Sequence, residues 1–443
     1  MNQLEVFGEA LAVFAVKAEI KENDSFSALA FLNWFGCAMA GAREQSVELF
    51  ASFYEEDCPG GIQPPIGRRK SVSPAACAAV DCMSSAVLAY DDIHFPTSLH
   101  PCGPVASAIL ALARVRSVSG ADALRALKIG MEVECRVAET IFSPGTGADK
   151  GWYTTGIAGG IGAAAAVGRL LGLDVEHMKS ALGLAAARAS GTRGIHTAMS
   201  FCLAPAVAAE SGYTAARLAE KGFTCQIKSL AGTNSLISMI APNANVALGM
   251  DGLGTMFHCE ETACKQYPFG FVTYASIKCA TDLFVLMTEN GKQMERLEVL
   301  VSPISMRLGG SPWPENIYDS IVCLRYVVAG VLENPEFAYT PVSGNFSIPP
   351  KMARLMNRIT ISANEELTDN QAVFKARFTD GSSAALRCDA APGSEKLPPS
   401  AEAVIAKFVK QASTICPRQH VEQMKETLLH LETVRDVSVL LRG

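Results

Sequence analysis

Lys150-Gly151-Trp152-Tyr153-Thr154-Thr155-Gly156-Ile157-Ala158-Gly159-Gly160-Ile161-Gly162-Ala163-Ala164-Ala165-Ala166-Val167-Gly168 runs a polar aromatic turn into a helix built almost wholly of glycine and alanine. Small side chains carry little apolar area of their own, so such a helix is a buried one whose use is to let neighbouring backbones approach closely. The Trp152 to Thr155 cluster sits where that helix begins. A helix N-terminus presents unpaired N–H groups and a partial positive charge, which suits an anionic ligand. Tyr153 is the first residue placed to meet one.

Outward from this stretch, apolar residues recur at helical spacing from about residue 5 to about 250, over Ala28 to Ala40, Ser73 to Tyr90, Pro104 to Val118, Ala121 to Ile141, Ile157 to Leu171, Val175 to Ala189 and Ala204 to Lys221. No strand-rich stretch interrupts them. Beyond Lys265 the texture changes: Leu297 to Ser302, Arg358 to Ser362, Gln371 to Phe378 and Ser383 to Cys388 predict strands, the last two flanking the turn Thr379-Asp380-Gly381. Tyr318 to Val331 predicts one helix within this region. A Pro/Gly/Ser loop from Ala391 to Pro399 then leads into two amphipathic helices, about 401 to 414 and 418 to 433. The expected fold is mainly α: a large all-helical domain from residues 1–264 and 400–443, and a smaller α+β lid domain from residues 265–399.

Composition narrows the function class. A chain of 443 residues with 49% hydrophobic and 19% charged residues buries a large core and is long enough for two domains. The formal net charge is −6 and no basic run exceeds Arg68-Arg69-Lys70, so nucleic acid is not an expected partner. Fourteen cysteines without paired CxxC spacing, Cys77, Cys82 and Cys135 among them in Ala-rich helices, fit reduced core thiols and a cytoplasmic setting. The N-terminus has no basic and apolar signal-peptide pattern, and the most apolar window, Gly156 to Leu173, contains Arg169 and makes a poor membrane span. A soluble protein is expected.

Three polar clusters break the apolar surroundings. The first is the loop Tyr90 to Pro104, with Asp91, Asp92, His94 and His100, two of only seven histidines. Loops on rigid scaffolds are where catalytic groups concentrate, although Asp91 and Asp92 equally suit loop hydrogen bonding. No HxxxH or HExxH spacing accompanies them, so no metal is expected. The second cluster, Lys150 with Tyr153, has glycines but neither a preceding strand nor a following lysine, which argues against a phosphate loop. The third is Cys264-Lys265-Gln266-Tyr267-Pro268 at the boundary between the domains, a preferred place for a small-molecule pocket.

The order of these clusters resembles the MmgE/PrpD family, which includes 2-methylcitrate dehydratase, cis-aconitate decarboxylase and iminodisuccinate epimerase. The matching pieces are the DD-x-H…HP-x-[GA]-P loop (Asp91 to Pro104), the GW-x-TTG-x-A helix start (Gly151 to Ala158), the L-x-L-A…SGT-R run (Leu182 to Arg193) and the K-x-[YF]-P element (Lys265 to Pro268). The resemblance covers nearly the whole chain. It implies a helical domain with an α+β lid, a homodimer, no metal or organic cofactor, and a small polycarboxylate substrate. Dehydratase and decarboxylase members carry histidine where this chain has Tyr153, threonine where it has Ile93 and an acid where it has Ala89, and decarboxylase members carry lysine where it has Glu210 and tyrosine about where it has Arg307.

All these reactions develop negative charge on a carbon α to a carboxylate, which calls for cationic or hydrogen-bonding partners. Loss of the usual histidine removes an acid for a departing hydroxyl, whereas epimerisation needs only two proton-exchanging groups on opposite faces of the carbon. The resemblance therefore points to the iminodisuccinate epimerase branch, with Tyr153 and Lys265 exchanging protons and their pKa values lowered toward neutrality. His100 and Arg307 would hold carboxylates, with Asp92, His94, Glu210 and Trp152 as further substrate-binding positions. The alternatives are a dehydratase- or decarboxylase-like lyase in which Tyr153 replaces the histidine, and an inactive binding or scaffold member.

Overall fold

The computed structural model describes residues 2–21, 24–149 and 151–441; Lys150, grouped with Tyr153 by sequence, lies outside the described residues. The chain is mainly α with a smaller α+β part, as the sequence texture predicts. At its centre the helix Thr154–Leu170 is buried from Thr154 to Gly168, sandwiched between Gly120–Phe142 and Leu203–Glu220. Its glycines set the spacing. A methyl group added at Gly162 would lie 2.5 Å from the Gly130 carbonyl, and one at Gly212 of the flanking helix would lie 2.5 Å from the Gly160 carbonyl. Neither contact is possible for a real side chain, so the three helices pack backbone to backbone.

The helix starts follow their capping residues. Ser73, Ser119 and Asp174 accept from backbone N–H groups three residues on, opening the helices Pro74–Ala86, Gly120–Phe142 and Val175–Ala186. The first core gathers apolar residues from Phe7 to Cys259 and adds Val404, Phe408, Val421 and Leu428 from the C-terminal helices Ala401–Ala412 and Arg418–Leu429, which return onto Ser25–Gly41. The second core runs from Tyr267 to Ala391.

In the second core, four strands line up in the order Ile359–Ala363, Met294–Val301, Ala372–Phe378, Ser383–Cys388, the first pair parallel and the others antiparallel. Alternation along Ala372–Phe378 turns Phe374, Ala376 and Phe378 inward and Lys375 and Arg377 outward. The helices Tyr274–Glu289 and Leu324–Glu333 help build this core. The stretch Phe271–Glu289 is long and apolar enough to cross a membrane by composition alone, with a mean hydropathy of 1.2. Here its Tyr274, Ile277, Ala280 and Leu283 are packed within the second core. All fourteen cysteines are unpaired.

Two sequence expectations change. The single helix expected over Tyr318 to Val331 is broken into Ile317–Ser320 and Leu324–Glu333, because the Ile321 carbonyl turns away to accept from the Gly270 N–H. The helical region also contains a strand: Asp92–His94 pairs antiparallel with Thr262–Cys264. Three residues are too few for alternation to show, and the partner lies far along the chain.

Candidate active site

The short ribbon builds the site. Asp92 pairs with Cys264, and the Lys265 N–H donates to the Asp91 carbonyl at 2.9 Å, so the residues flanking each strand are neighbours. Ala89 adopts a left-handed backbone at φ 51°, turning the chain out of the helix Pro74–Ala86 into this ribbon. The result is a buried ion pair: Lys265 Nζ donates to Asp91 Oδ1 at 2.6 Å. The other Asp91 oxygen lies 3.3 Å from His100 Nδ1, which is also 2.5 Å from the Asp92 carbonyl.

The same loop is docked on the small-residue helix. The Thr155 hydroxyl accepts the His100 backbone N–H at 3.0 Å, and the Thr154 hydroxyl donates to the Ser98 carbonyl at 3.2 Å. Tyr153 caps that helix with an extended backbone and donates its N–H to Gly191 at 3.2 Å. Trp152 bridges to Thr192, and the Arg193 N–H reaches the Gly151 carbonyl at 2.7 Å. These contacts fold the turn Arg193–Thr197 back over the helix start. His196 then meets the Tyr153 ring edge to face, with centroids 4.8 Å apart at 89°.

The charges sort themselves by environment. Burial alone would raise the Asp91 pKa, but the Lys265 ammonium and His100 overcome it and hold the carboxyl below its ordinary value. Burial brings the His100 and His196 imidazoles down to about 4, with the Lys265 and Arg193 charges adding to the effect, so both are neutral near pH 7. Burial pushes the Tyr153 phenol well above its ordinary value. This shift runs opposite to the lowering toward neutrality that the two-base reading asks of Tyr153. Arg193 is depressed by burial and by the charge of Arg307, on the helix Pro303–Gly309 of the second core.

His100 and Lys265 both meet Asp91, and Tyr153 stands two residues before Thr155, which holds the His100 backbone. Asp92 and His94 make contacts of their own. The Asp92 carboxylate accepts the Cys102 N–H at 2.9 Å at the start of Cys102–Ala113, and burial with the Asp91 charge raises its pKa to about 7. His94 is fully buried, with Nδ1 2.9 Å from the Thr97 hydroxyl and Nε2 3.7 Å from Glu139, itself bonded to His258. Glu210 accepts from the Tyr54 hydroxyl at 2.8 Å, and half-buried Trp152 packs on the first core. Asp91, Asp92 and His100 have ligand-type atoms within 4.8 Å of one another, as do His94, Glu139 and Glu261. In the first group, however, Lys265 and the Cys102 N–H already occupy the carboxylates.

Four residues escaped the sequence reading of the site. Asp91 reads equally well as a loop-bonding acid, and only its pairing with Lys265 gives it a role. Arg193 stands at the end of the SGT-R run, which was the available signal; His196 follows three residues later. Lys407, from the C-terminal helix, buries its ammonium beneath the ribbon and donates to Asn33 Oδ1 at 2.7 Å, the Tyr90 carbonyl at 2.5 Å and the Lys265 carbonyl at 2.9 Å. Nothing local in the sequence marks it.

Family models match the chain in two pieces, the MmgE/PrpD N-terminal domain over residues 9–248 and the MmgE/PrpD C-terminal domain over residues 267–433. The chain is similar to cis-aconitate decarboxylase of Aspergillus terreus, 24% identical over 439 residues, which cover 93% of this chain and 89% of that protein. The cis-aconitate decarboxylases of Mus musculus and Homo sapiens are 23% and 24% identical, each over 83% of this chain and 78% of theirs.

Proposed function

The chain belongs to the MmgE/PrpD family, and from that premise we propose that it is a lyase that decarboxylates a small unsaturated polycarboxylate of the cis-aconitate class. The observation that carries this reading is the buried Asp91–Lys265 ion pair with His100 at the other Asp91 oxygen, docked on the helix start that follows Tyr153. In decarboxylation the bond from the α-carbon to one carboxylate breaks, carbon dioxide leaves, and the electron pair spreads from that carbon onto a neighbouring carboxylate. Lys265 faces the developing charge with a cation in a buried site, where such stabilisation is strongest. Tyr153 then supplies the proton to carbon as its O–H bond breaks, and the phenolate regains a proton from solvent.

Two-base epimerisation by Tyr153 and Lys265 fits less well. It asks Tyr153 to serve as base in one direction, against its raised pKa, and asks Lys265 to release a proton while bonded to Asp91. The relatives named above are decarboxylases, and none points to the iminodisuccinate epimerase branch. A second reading keeps epimerisation with different roles: the neutral His100 imidazole takes the proton and Tyr153 returns one. The homodimer implied by the family resemblance is part of the same proposal, and light scattering in solution tests it.

The deciding experiment incubates the protein in deuterated water with cis-aconitate, 2-methylcitrate and iminodisuccinate and follows each by proton NMR. New vinyl signals with carbon dioxide release support the lyase. Deuterium at the α-carbon with interchange of stereoisomers, and no carbon dioxide, replaces it with the epimerase. Silence on all three overturns both and leaves a binding or scaffold protein.

A further inference from the structure

The ribbon has two ends, and a second cluster of ligand-type side chains lies at the end away from Lys265. There His94 closes the first strand opposite Thr262, and Glu261 immediately precedes the second. Glu139 joins them from the helix Gly120–Phe142, so that one imidazole nitrogen and two carboxylate oxygens lie within 4.8 Å of one another. His94 is fully buried. Its Nδ1 is taken by the Thr97 hydroxyl at 2.9 Å, while its Nε2 has no hydrogen-bond partner and stands 3.7 Å from Glu139 Oε1, too far for a hydrogen bond. Buried polar atoms are ordinarily satisfied, and an open imidazole nitrogen directed at a carboxylate is a place for a cation between them. The Thr262 hydroxyl directly opposite is also buried without a partner, where a metal-bound water would meet it. The other Glu139 oxygen is bonded by His258 Nδ1, the kind of outer contact that orients a ligating carboxylate. Glu261 is exposed and makes no side-chain hydrogen bond or ion pair among the described residues. Asp91 and Asp92 differ, since Lys265 and the Cys102 N–H occupy them.

We propose that His94, Glu139 and Glu261 bind a divalent transition-metal ion of the zinc class, which clasps the far end of the ribbon to the helix Gly120–Phe142. One imidazole and two carboxylates, with water completing the shell, suit Zn²⁺, whereas Mg²⁺ and Ca²⁺ favour all-oxygen sets. Ligand atoms about 2.1 Å from a tetrahedral ion stand about 3.4 Å apart. The His94–Glu139 pair is already near that spacing, and the exposed Glu261 side chain is free to swing in. No HxxxH or HExxH spacing announces the site, because its three ligands come from three separate segments. The clasp is structural: it fixes the ribbon whose opposite end carries Asp91 and Lys265, whichever reaction that end performs.

The test strips the full chain with a chelator, removes the chelator, and titrates Zn²⁺, Mg²⁺ and Ca²⁺ separately by calorimetry. The wild type takes up a single Zn²⁺ per chain and neither of the other ions. Glu261→Gln changes an exposed side chain without contacts, so it folds as the wild type does, and it weakens Zn²⁺ binding by about a hundredfold or more; His258→Asn, which removes only the outer contact, weakens it by about tenfold. Zn²⁺ raises the melting temperature of the wild type and leaves that of Glu261→Gln where it was. X-ray absorption at the zinc edge shows nitrogen and oxygen ligands without sulfur, which separates this site from capture by the fourteen free cysteines. Sulfur ligands, equal Zn²⁺ uptake by the wild type and Glu261→Gln, or a wild type that takes up no Zn²⁺ overturns the site, and binding of Mg²⁺ or Ca²⁺ in its place overturns the zinc assignment. None of these outcomes touches the reading of the Asp91–Lys265 end.

Discussion

Asp91 and Asp92 are consecutive carboxylates at one end of a short ribbon, within 4.8 Å of each other, and the protein treats them oppositely. Asp91 has Lys265 and His100 bonded or beside it and its pKa is lowered. Its neighbour Asp92 has burial and the Asp91 charge against it, and its pKa climbs to about 7. Glu134 lies deeper still, with both oxygens buried and unpartnered, and burial followed by the Asp92 charge drives its pKa well up. A methyl group at Gly159 or Gly162 would lie 3.4 or 2.8 Å from a Glu134 oxygen. The small-residue helix therefore makes the slot in which that carboxyl sits neutral. The lesson is that a carboxylate's charge in this protein is set by direct bonding to a cation: Lys265 bonds Asp91, while Asp92 accepts a backbone N–H and Glu134 has no hydrogen-bond partner.

The largest effect should come from breaking the Asp91–Lys265 pair. Lys265→Ala leaves Asp91 buried without its counter-ion, and should cost about 3–5 kcal/mol in urea unfolding and about 10²- to 10³-fold in turnover. Adding Asp91→Asn should recover most of the stability and none of the activity; recovery of both would remove the pair from the chemistry. Next in size is the buried His94 in acid, in protein stripped of divalent ions. His94 has its folded pKa depressed to about 4, chiefly by burial, so the unfolded chain binds the proton first and stability is lost as pH falls from about 6.5 to 4. Unfolding at pH 7 and pH 5 should differ by about 2 kcal/mol from this residue, and His94→Asn should flatten that slope.

Asp92 sharpens the comparison with the opposite sign. Its folded pKa is raised to about 7, so its contribution is fully present below its unfolded pKa and lost as pH rises through 7. Asp92→Asn should gain about 1–3 kcal/mol over the wild type between pH 5 and pH 8, read from paired denaturation curves; a difference flat in pH would mean that Asp92 is charged throughout. The smallest effect belongs to Glu134→Gln, which replaces an already neutral carboxyl by its isostere and should change stability at pH 7 by less than about 1 kcal/mol. A large loss would show that Glu134 is ionised and held by a partner.

Much of the fold was open to reading because its signals are local. The glycine–alanine run from Gly156 to Gly168 announces its own burial, and the strands from Gln371 to Phe378 and Ser383 to Cys388 show their turn. The clusters around His100, Tyr153 and Lys265 were visible as polar breaks in apolar sequence. What stayed hidden depends on pairing at a distance. Which partner each of Asp91 and Asp92 meets is fixed by the register with Thr262–Cys264, and Arg193 is brought beside Tyr153 by the backbone contacts between Gly151–Tyr153 and Gly191–Arg193. The direction of the Tyr153 shift was missed for a related reason, since burial depends on what folds over a residue, and here His196 and the turn from Arg193 do so.

Lys407 gives the molecule a timetable. Its ammonium gathers the carbonyls of Tyr90, two residues before the first ribbon strand, and Lys265, the residue just after the second, and it comes from the last tenth of the chain. A polypeptide emerging from the ribosome can pack its glycine–alanine helix early, because the helices around it precede residue 221. It cannot seat that ammonium beneath Asp91 and Lys265 until almost all of it has been made. A chain cut short before the helix Ala401–Ala412 would lack both that ammonium and the Val404 and Phe408 packing on Ser25–Gly41, so the site and part of the first core are finished together.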